Sequence, residues 1–275
     1  QTITANLGVL STSLLGVTAS SSGYGAHPST APTLTPVTVG SIGSDIDGDG
    51  DVDFIRSGVS GGWFTEVYLN DGSGNFTKDD SKTATGLYPH QNAGGGTLAA
   101  ADIDGDGDVD FIRSGVAAAT SVYDGTNTEI YLNDGSGNFT KDDSKTATGF
   151  DIGSVGGSSL ATADIDGDGD IDFIRSGVWD NDSYKTEVYL NDGFGNFTKD
   201  DSKTTTGLPV ALTGGGALAT ADIDGDGDAD FIRSGAWHAN TPYTEVYIND
   251  GSGNFAKDDS KTALGFSTII GGTGI

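Results

Sequence analysis

Cysteine and methionine are both absent from this chain of 275 residues. Without cysteine, neither disulfides nor thiolate metal sites are available. Without methionine there is no initiator residue, and the opening Gln1-Thr2-Ile3-Thr4 reads as a mature end left after removal of a leader. Export to the cell surface or beyond is therefore expected. No apolar run approaches the roughly 20 residues that a membrane helix requires. Basic residues are scarce: 13 Lys and Arg stand against 40 Asp and Glu, a formal net charge of −27. That excess repels nucleic acid and anionic membrane surfaces and attracts cations, so neither nucleic-acid binding nor membrane insertion is expected. Proline is rare as well, with 6 residues against 45 glycines. The glycines follow no period of three, which assigns them to turns and excludes a collagen-like chain.

What the chain has in abundance is internal repetition. Asp-Ile-Asp-Gly-Asp-Gly-Asp begins at Asp45, Asp102, Asp164 and Asp222, at spacings of 57, 62 and 58 residues. Each copy runs into Asp-Phe-Ile-Arg-Ser-Gly, then a variable segment, then Thr-Glu-Val-Tyr-Leu-Asn-Asp-Gly or a close variant. A Gly-Asn-Phe-(Thr/Ala)-Lys-Asp-Asp-Ser-Lys-Thr segment closes the unit. The units are read as 26–82, 83–145, 146–203 and 204–261, leaving 1–25 as an N-terminal strand segment and 262–275 as a partial repeat. Signals within a unit are of strand and turn. Glu66-Val67-Tyr68-Leu69 alternates ahead of the turn-forming Asn70-Asp71-Gly72-Ser73-Gly74. Phe54-Ile55 places apolar side chains on both faces of one strand. Leu98-Ala99-Ala100-Ala101 is small enough for closely packed backbones. The expected fold is all-β, about four short strands per unit. That is a propeller-like array of four blades, or five with one blade shared between the termini.

The acidic loops point to metal. In Asp45-Ile46-Asp47-Gly48-Asp49-Gly50-Asp51-Val52-Asp53, carboxylates at positions 1, 3 and 5 can converge when the glycine at position 6 turns the chain sharply. A carbonyl at position 7 and the carboxylate at position 9 complete the shell. The candidate ligands are thus Asp45, Asp47, Asp49, Asp51 and Asp53, then Asp102, Asp104, Asp106, Asp108 and Asp110. The third and fourth units offer Asp164, Asp166, Asp168, Asp170 and Asp172, and Asp222, Asp224, Asp226, Asp228 and Asp230. Ca²⁺ accepts six to eight oxygens in flexible geometry, whereas Mg²⁺ demands a stricter octahedron, so about four Ca²⁺ per chain are expected. An EF-hand is excluded: position 12 is Arg56, Arg113, Arg175 or Arg233 rather than Glu, and the exit from the loop reads as a strand.

The acidic loop followed by Tyr-Leu-Asn-Asp-Gly-x-Gly-x-Phe resembles the FG-GAP and VCBS-type repeats, which include the calcium-bearing blades of integrin α-subunit propellers and of several propeller lectins. The resemblance spans roughly residues 33–261 and implies a β-propeller with one calcium on the hairpin between strands 1 and 2 of each blade. Two departures stand out. Arg-Ser-Gly-(Val/Ala) replaces the family's Gly-Ala-Pro element, and four units fall short of the usual seven blades.

Each unit also holds one Arg and one Glu at matched places: Arg56/Glu66, Arg113/Glu129, Arg175/Glu187 and Arg233/Glu245. Cross-strand pairing is the expected role, with ligand reading as the alternative. The variable segments carry Trp63, Phe64, Tyr123, Trp179, Tyr184, Trp237, His238 and Tyr243, which either pack between loops or stack on a sugar. Asn75, Asn138, Asn196 and Asn181 open glycosylation sequons, and a turn role competes with that reading. His27, His90 and His238 occupy unrelated places, no nucleophile elbow is present, and the chain is not expected to be an enzyme. The expected function is a secreted calcium-binding structural or adhesion protein, self-associating head to tail into multimers or filaments or meeting an extracellular protein or glycan partner. A calcium-stabilised propeller lectin is the alternative.

Overall fold

The computed structural model describes residues 39–59, 63–83, 97–117, 126–146, 159–180, 183–200, 202–203, 217–237 and 241–262. Consecutive strands pair antiparallel into four separate four-stranded sheets, as the repeat pattern predicts. The first sheet holds β1 (Val39–Ser44), β2 (Asp53–Val59), β3 (Trp63–Asn70) and β4 (Phe76–Lys78). The second holds β5 (Thr97–Ala101), β6 (Asp110–Ala117), β7 (Thr126–Asn133) and β8 (Phe139–Lys141). The third holds β9 (Ser159–Ala163), β10 (Asp172–Asp180), β11 (Ser183–Asn191) and β12 (Phe197–Lys199). The fourth holds β13 (Ala217–Ala221), β14 (Asp230–Trp237), β15 (Thr241–Asn249) and β16 (Phe255–Lys257). Residues 1–25 and 263–275, and with them the fifth blade expected from the termini, lie outside the described residues.

The period of two along each strand gives every sheet two different faces. In the second sheet Phe111 pairs with Tyr131 and Arg113 with Glu129, which puts an aromatic and charged set on one side. Ile112 pairs with Ile130 and Ser114 with Thr128, and Ala99 faces Ile112 from β5, so the opposite side is aliphatic. Successive sheets stack aromatic face on aliphatic face. Phe111, Tyr131 and Phe139 pack on Ile42, Ile46, Ile55 and Val67 of the first sheet. Phe173, Tyr189 and Phe197 pack on Ile103, Ile112 and Ile130, and Phe231, Tyr247 and Phe255 pack on Ile165, Ile174 and Val188. The core therefore lies between sheets, as in a repeat array whose units cannot bury an apolar face alone. The small residues of the first strands permit the close approach: β1 packs against β5, β5 against β9 and β9 against β13.

Polar ties cross each of the three interfaces. Arg113 Nη1 donates to Thr65 Oγ1 at 2.9 Å, Arg175 Nη1 to Thr128 at 2.9 Å and Arg233 Nη1 to Thr186 at 2.8 Å. The matched Arg and Glu are cross-strand partners, as expected: Arg175 Nη2 lies 2.6 Å from Glu187 and Arg233 Nη2 2.6 Å from Glu245. Each guanidinium also sits over the ring of the Tyr two residues past its Glu, at 5.2 Å for Arg113 and Tyr131. Burial works to raise the Glu187 carboxyl, but Arg175 and Lys199 more than offset it and hold it below the ordinary value.

The strand-and-turn reading omits one detail. Asp80–Thr83, Asp143–Thr146 and Asp259–Thr262 each form a single helical turn. Asp79 caps the first by accepting from the N–H of Ser81 at 2.9 Å and of Lys82 at 3.3 Å. One turn is too short to leave a 3.6-residue period in the sequence.

Candidate metal centres

Each acidic loop is the hairpin between the first two strands of a sheet. Gly48 at φ 77° and Gly50 at φ 93° occupy the left-handed region that glycine alone enters freely. These two bends fold the loop back on its own first carboxylate: Asp45 accepts from Gly48 N at 2.9 Å and Gly50 N at 3.0 Å. Asp53, the ninth residue, is buried at the start of β2. Its oxygens accept from Ile46 N at 2.9 Å and Asn70 N at 2.8 Å, tying the loop to the next hairpin of its sheet. Asp110, Asp172 and Asp230 repeat both bonds.

This folding brings three of the five candidate carboxylates of each loop together. Asp45, Asp47 and Asp53 offer oxygens within 4.8 Å of one another, as do Asp102, Asp104 and Asp110; Asp164, Asp166 and Asp172; and Asp222, Asp224 and Asp230. Positions 5 and 7 are outside that group. Asp49 Oδ1 accepts from Asp51 N at 2.9 Å. The Asp51 carboxylate lies against Gly72 so closely that a Cβ there would sit 2.5 Å from Oδ2. Asp106, Asp168 and Asp226 make the same backbone bond, to Asp108, Asp170 and Asp228. Those seventh residues lie against Gly135, Gly193 and Gly251.

The triads fit a divalent cation on a direct observation. Oδ1 of Asp47, Asp104 and Asp166 is buried without a hydrogen-bond partner in the protein. A buried unsatisfied acceptor costs about 1–3 kcal/mol, more when charged, unless a cation takes its place. The electrostatics agree. Burial raises Asp47, Asp104 and Asp166, and neighbouring loop carboxylates raise them further. Burial pushes Asp110 and Asp172 up to about 7 despite the N–H groups donated to them. Three such carboxylates on one point, with all-oxygen donors, suit a hard cation of flexible coordination.

The neighbouring sheet helps to build each site. Asn133 Nδ2 donates to the carbonyl of Ile46, the second residue of the preceding loop, at 2.8 Å. Asn191 and Asn249 do the same to Ile103 and Ile165, each at 2.7 Å. Lys82, Lys145 and Lys203 reach forward to the carbonyls of Ser136, Phe194 and Ser252 in the next sheet. This inter-sheet role of the Asn in Asn-Asp-Gly escaped the sequence reading. Its recurrence in all four units was the available signal.

The sequons resolve differently. Asn138 and Asn196 donate Nδ2 to Asp134 and Asp192 across the turn. Asn254 makes the same bond to Asp250 where no sequon exists, so this asparagine shapes the turn. Asn181, Tyr123 and His238 lie outside the described residues, as do the side chains of Trp63, Phe64, Trp179, Tyr184, Trp237 and Tyr243.

Four-stranded sheets stacked face to face, each with an acidic hairpin between its first two strands, define a propeller-type repeat protein. Residues 45–112 and 116–175 match the family model described as FG-GAP-like repeat, so the chain contains FG-GAP-like repeats. The fourth sheet, beyond the matched residues, repeats the same hairpin and triad. No curated protein matches the chain. Among the described residues, no helix is long and apolar enough to cross a membrane.

Proposed function

We propose that this protein is a secreted, non-catalytic, calcium-stabilised structural or adhesive module of the cell exterior. The observation that carries the reading is the recurrence of an acidic triad at one hairpin per sheet, with a buried and unpartnered carboxylate oxygen in the first three. The residues Asp45, Asp47 and Asp53, and their equivalents, would hold Ca²⁺, with the remaining oxygens supplied by loop backbone and water. The bound ion supplies positive charge at a point where the fold has concentrated negative charge. Asp53, Asp110, Asp172 and Asp230 then link ion, hairpin and ladder through their two backbone bonds. All-oxygen calcium loops of extracellular modules load in millimolar calcium, which supports a location outside the cell.

Calorimetry tests the proposal. Calcium at about 1,000 times its Kd stabilises the folded state by roughly 4 kcal/mol per site, so a chelator should lower Tm sharply and titration should count four sites. Unchanged Tm with no calcium heat would refute it. Sugar binding by a single chain on a glycan array would instead favour the lectin.

A further inference from the structure

Three interfaces between sheets are built from one set of residues, and the two ends of the array expose the two halves of a fourth. At the first sheet the aromatic face is open. Phe76 is 46% exposed, whereas Phe139, Phe197 and Phe255 are 1%, 3% and 8% exposed. The Arg56 side chain is 41% exposed against 2%, 2% and 1% for Arg113, Arg175 and Arg233. A Cβ on Gly137, Gly195 or Gly253 would press on the preceding sheet's Lys and Ile, while one on Gly74 would meet nothing within 4 Å.

At the fourth sheet the aliphatic face is open around Ala219, Ile223 and Ile232, while Val246 is buried. Ala219 is exposed where Ala99 and Ala161 are buried, and Ile223 and Ile232 are half-buried where Ile103, Ile112, Ile165 and Ile174 are buried. Its acidic loop shares the difference. Asp222 and Asp224 are exposed, unlike their counterparts. A Cβ on Gly225 would meet nothing within 4 Å, whereas Gly105 and Gly167 each lie 3.2 Å, measured in the same way, from a carbonyl of the next sheet. Lys261, whose equivalents clamp the next sheet, instead approaches Asp224 at 3.9 Å. Among the described residues, β13 has no packing on β1 like that of β9 on β13.

We infer that the fourth sheet of one chain docks on the first sheet of a second copy, completing the fourth calcium site. The chemistry is that of the internal interfaces. Arg56 of the second copy meets Thr244, its Asn70 takes the carbonyl of Ile223, and Lys261 turns from Asp224 to its Ser73 carbonyl. Phe54, Tyr68 and Phe76 of that copy cover Ile223 and Ile232. Such a contact is heterologous, so it propagates as a filament or closes as a ring. Propellers reach eight blades, the number two such chains would supply. Calcium at the fourth loop and docking favour each other by thermodynamic linkage. The joint is weaker than the internal ones, because Ser41 stands opposite Arg56 where Leu98, Leu160 and Leu218 stand opposite their arginines. The calcium coupling rests on the reading of the loops given above; the contact between faces does not.

Sedimentation velocity of the full chain in millimolar calcium, over a range of protein concentration, tests the joint. The wild type should form dimers or longer series. Ala219→Arg and Phe76→Arg, both at exposed positions, should each remain at single-chain mass. Mixed, they retain one good face apiece and should form a 1:1 dimer and nothing larger. Phe76→Ser replaces Phe76→Arg if circular dichroism shows the charge disturbs the sheet. Ser41→Leu should tighten the wild-type joint on the order of tenfold. In Phe76→Arg, altered far from the fourth loop, calorimetry should find three tight calcium sites and one weak one, and added Ala219→Arg protein should restore the fourth. A wild type that stays single at every concentration, variants that assemble like it, or a mixture that does not pair would each overturn the joint. Four equal sites in the unpaired variant would overturn the coupling. Absence of all calcium binding with assembly intact would instead sink the calcium reading and leave the joint standing.

Discussion

The first sheet and the third sheet share the segment Asp-Phe-Ile-Arg-Ser-Gly and, from its Phe to its Ser, the same register between their second and third strands, yet one exposes what the other buries. Arg56 and Glu66 form their ion pair at 2.7 Å with the guanidinium half in water, and Arg175 and Glu187 form theirs at 2.6 Å with both partners sealed. The local strand pairing is therefore complete without a neighbour, and the neighbour decides only what surrounds it. A surface pair contributes about 0–1 kcal/mol, whereas breaking a buried one costs about 3–5 kcal/mol because the partner left behind keeps its charge.

That contrast can be broken by substitution. Arg175→Ala should lower stability by about 3–5 kcal/mol and Arg56→Ala by about 1 kcal/mol or less, measured by denaturant unfolding in calcium under conditions that keep the chain single. Equal losses would mean that burial does not separate the two sheets. Within a loop the comparison lies between positions 9 and 7. Asp110→Asn should lose one equivalent of calcium, since Asp110 sits in the triad, while Asp108→Asn should keep all four. Loss of a site in Asp108→Asn would bring that carboxylate into the shell.

Two of the buried ninth residues also set a pH dependence that calcium should reverse. In the metal-free protein Asp110 and Asp172 are raised to about 7 by burial, above the ordinary carboxylate value near 4. The folded state then holds more protons than the unfolded one, so its stability is full below pH 4 and falls as pH rises through 7. Thermal melts in chelator should show Tm higher at pH 5 than at pH 8 for these two sites. With calcium present, protons compete for the same oxygens, so affinity should weaken on going from pH 8 to pH 5. The smallest expected effect concerns the clamps. Lys145→Ala, which removes the tie to Phe194, should cost about 0.5–1.5 kcal/mol, and Lys261→Ala, which meets no further sheet among the described residues of the single chain, close to nothing.

Much of this architecture is legible before any coordinates. The acidic loops, their glycine turns, the strand that follows and the Arg–Glu pairing all follow from local pattern, because a period of two and a turn residue constrain only near neighbours. The choice of which loop carboxylates converge is less legible. Asp49 reads as a carboxylate ligand like Asp47 and Asp51 as a carbonyl ligand; in the structure Asp49 Oδ1 accepts from Asp51 N and the Asp51 carboxylate lies against Gly72, both outside the triad. Asn133 reads as a turn residue and in fact also clips the loop of the preceding sheet, 87 residues away.

By itself, then, the sequence determined the unit: four strands, an acidic hairpin, a face of Phe, Tyr and Arg, and a face of Ile, Val and Ala. These are properties of alternation and turn chemistry within some 60 residues. Only the tertiary structure decided what each copy of that unit experiences. Phe76 and Phe139 are the same residue in the same strand of successive units, one exposed and one sealed. Ile46 and Ile223 hold the same place in the same loop, one with an asparagine from the next sheet on its carbonyl and one at the end of the array. The physical reason is that burial and desolvation are set by what stacks on a face, and stacking has a first and a last member that no repeat motif encodes.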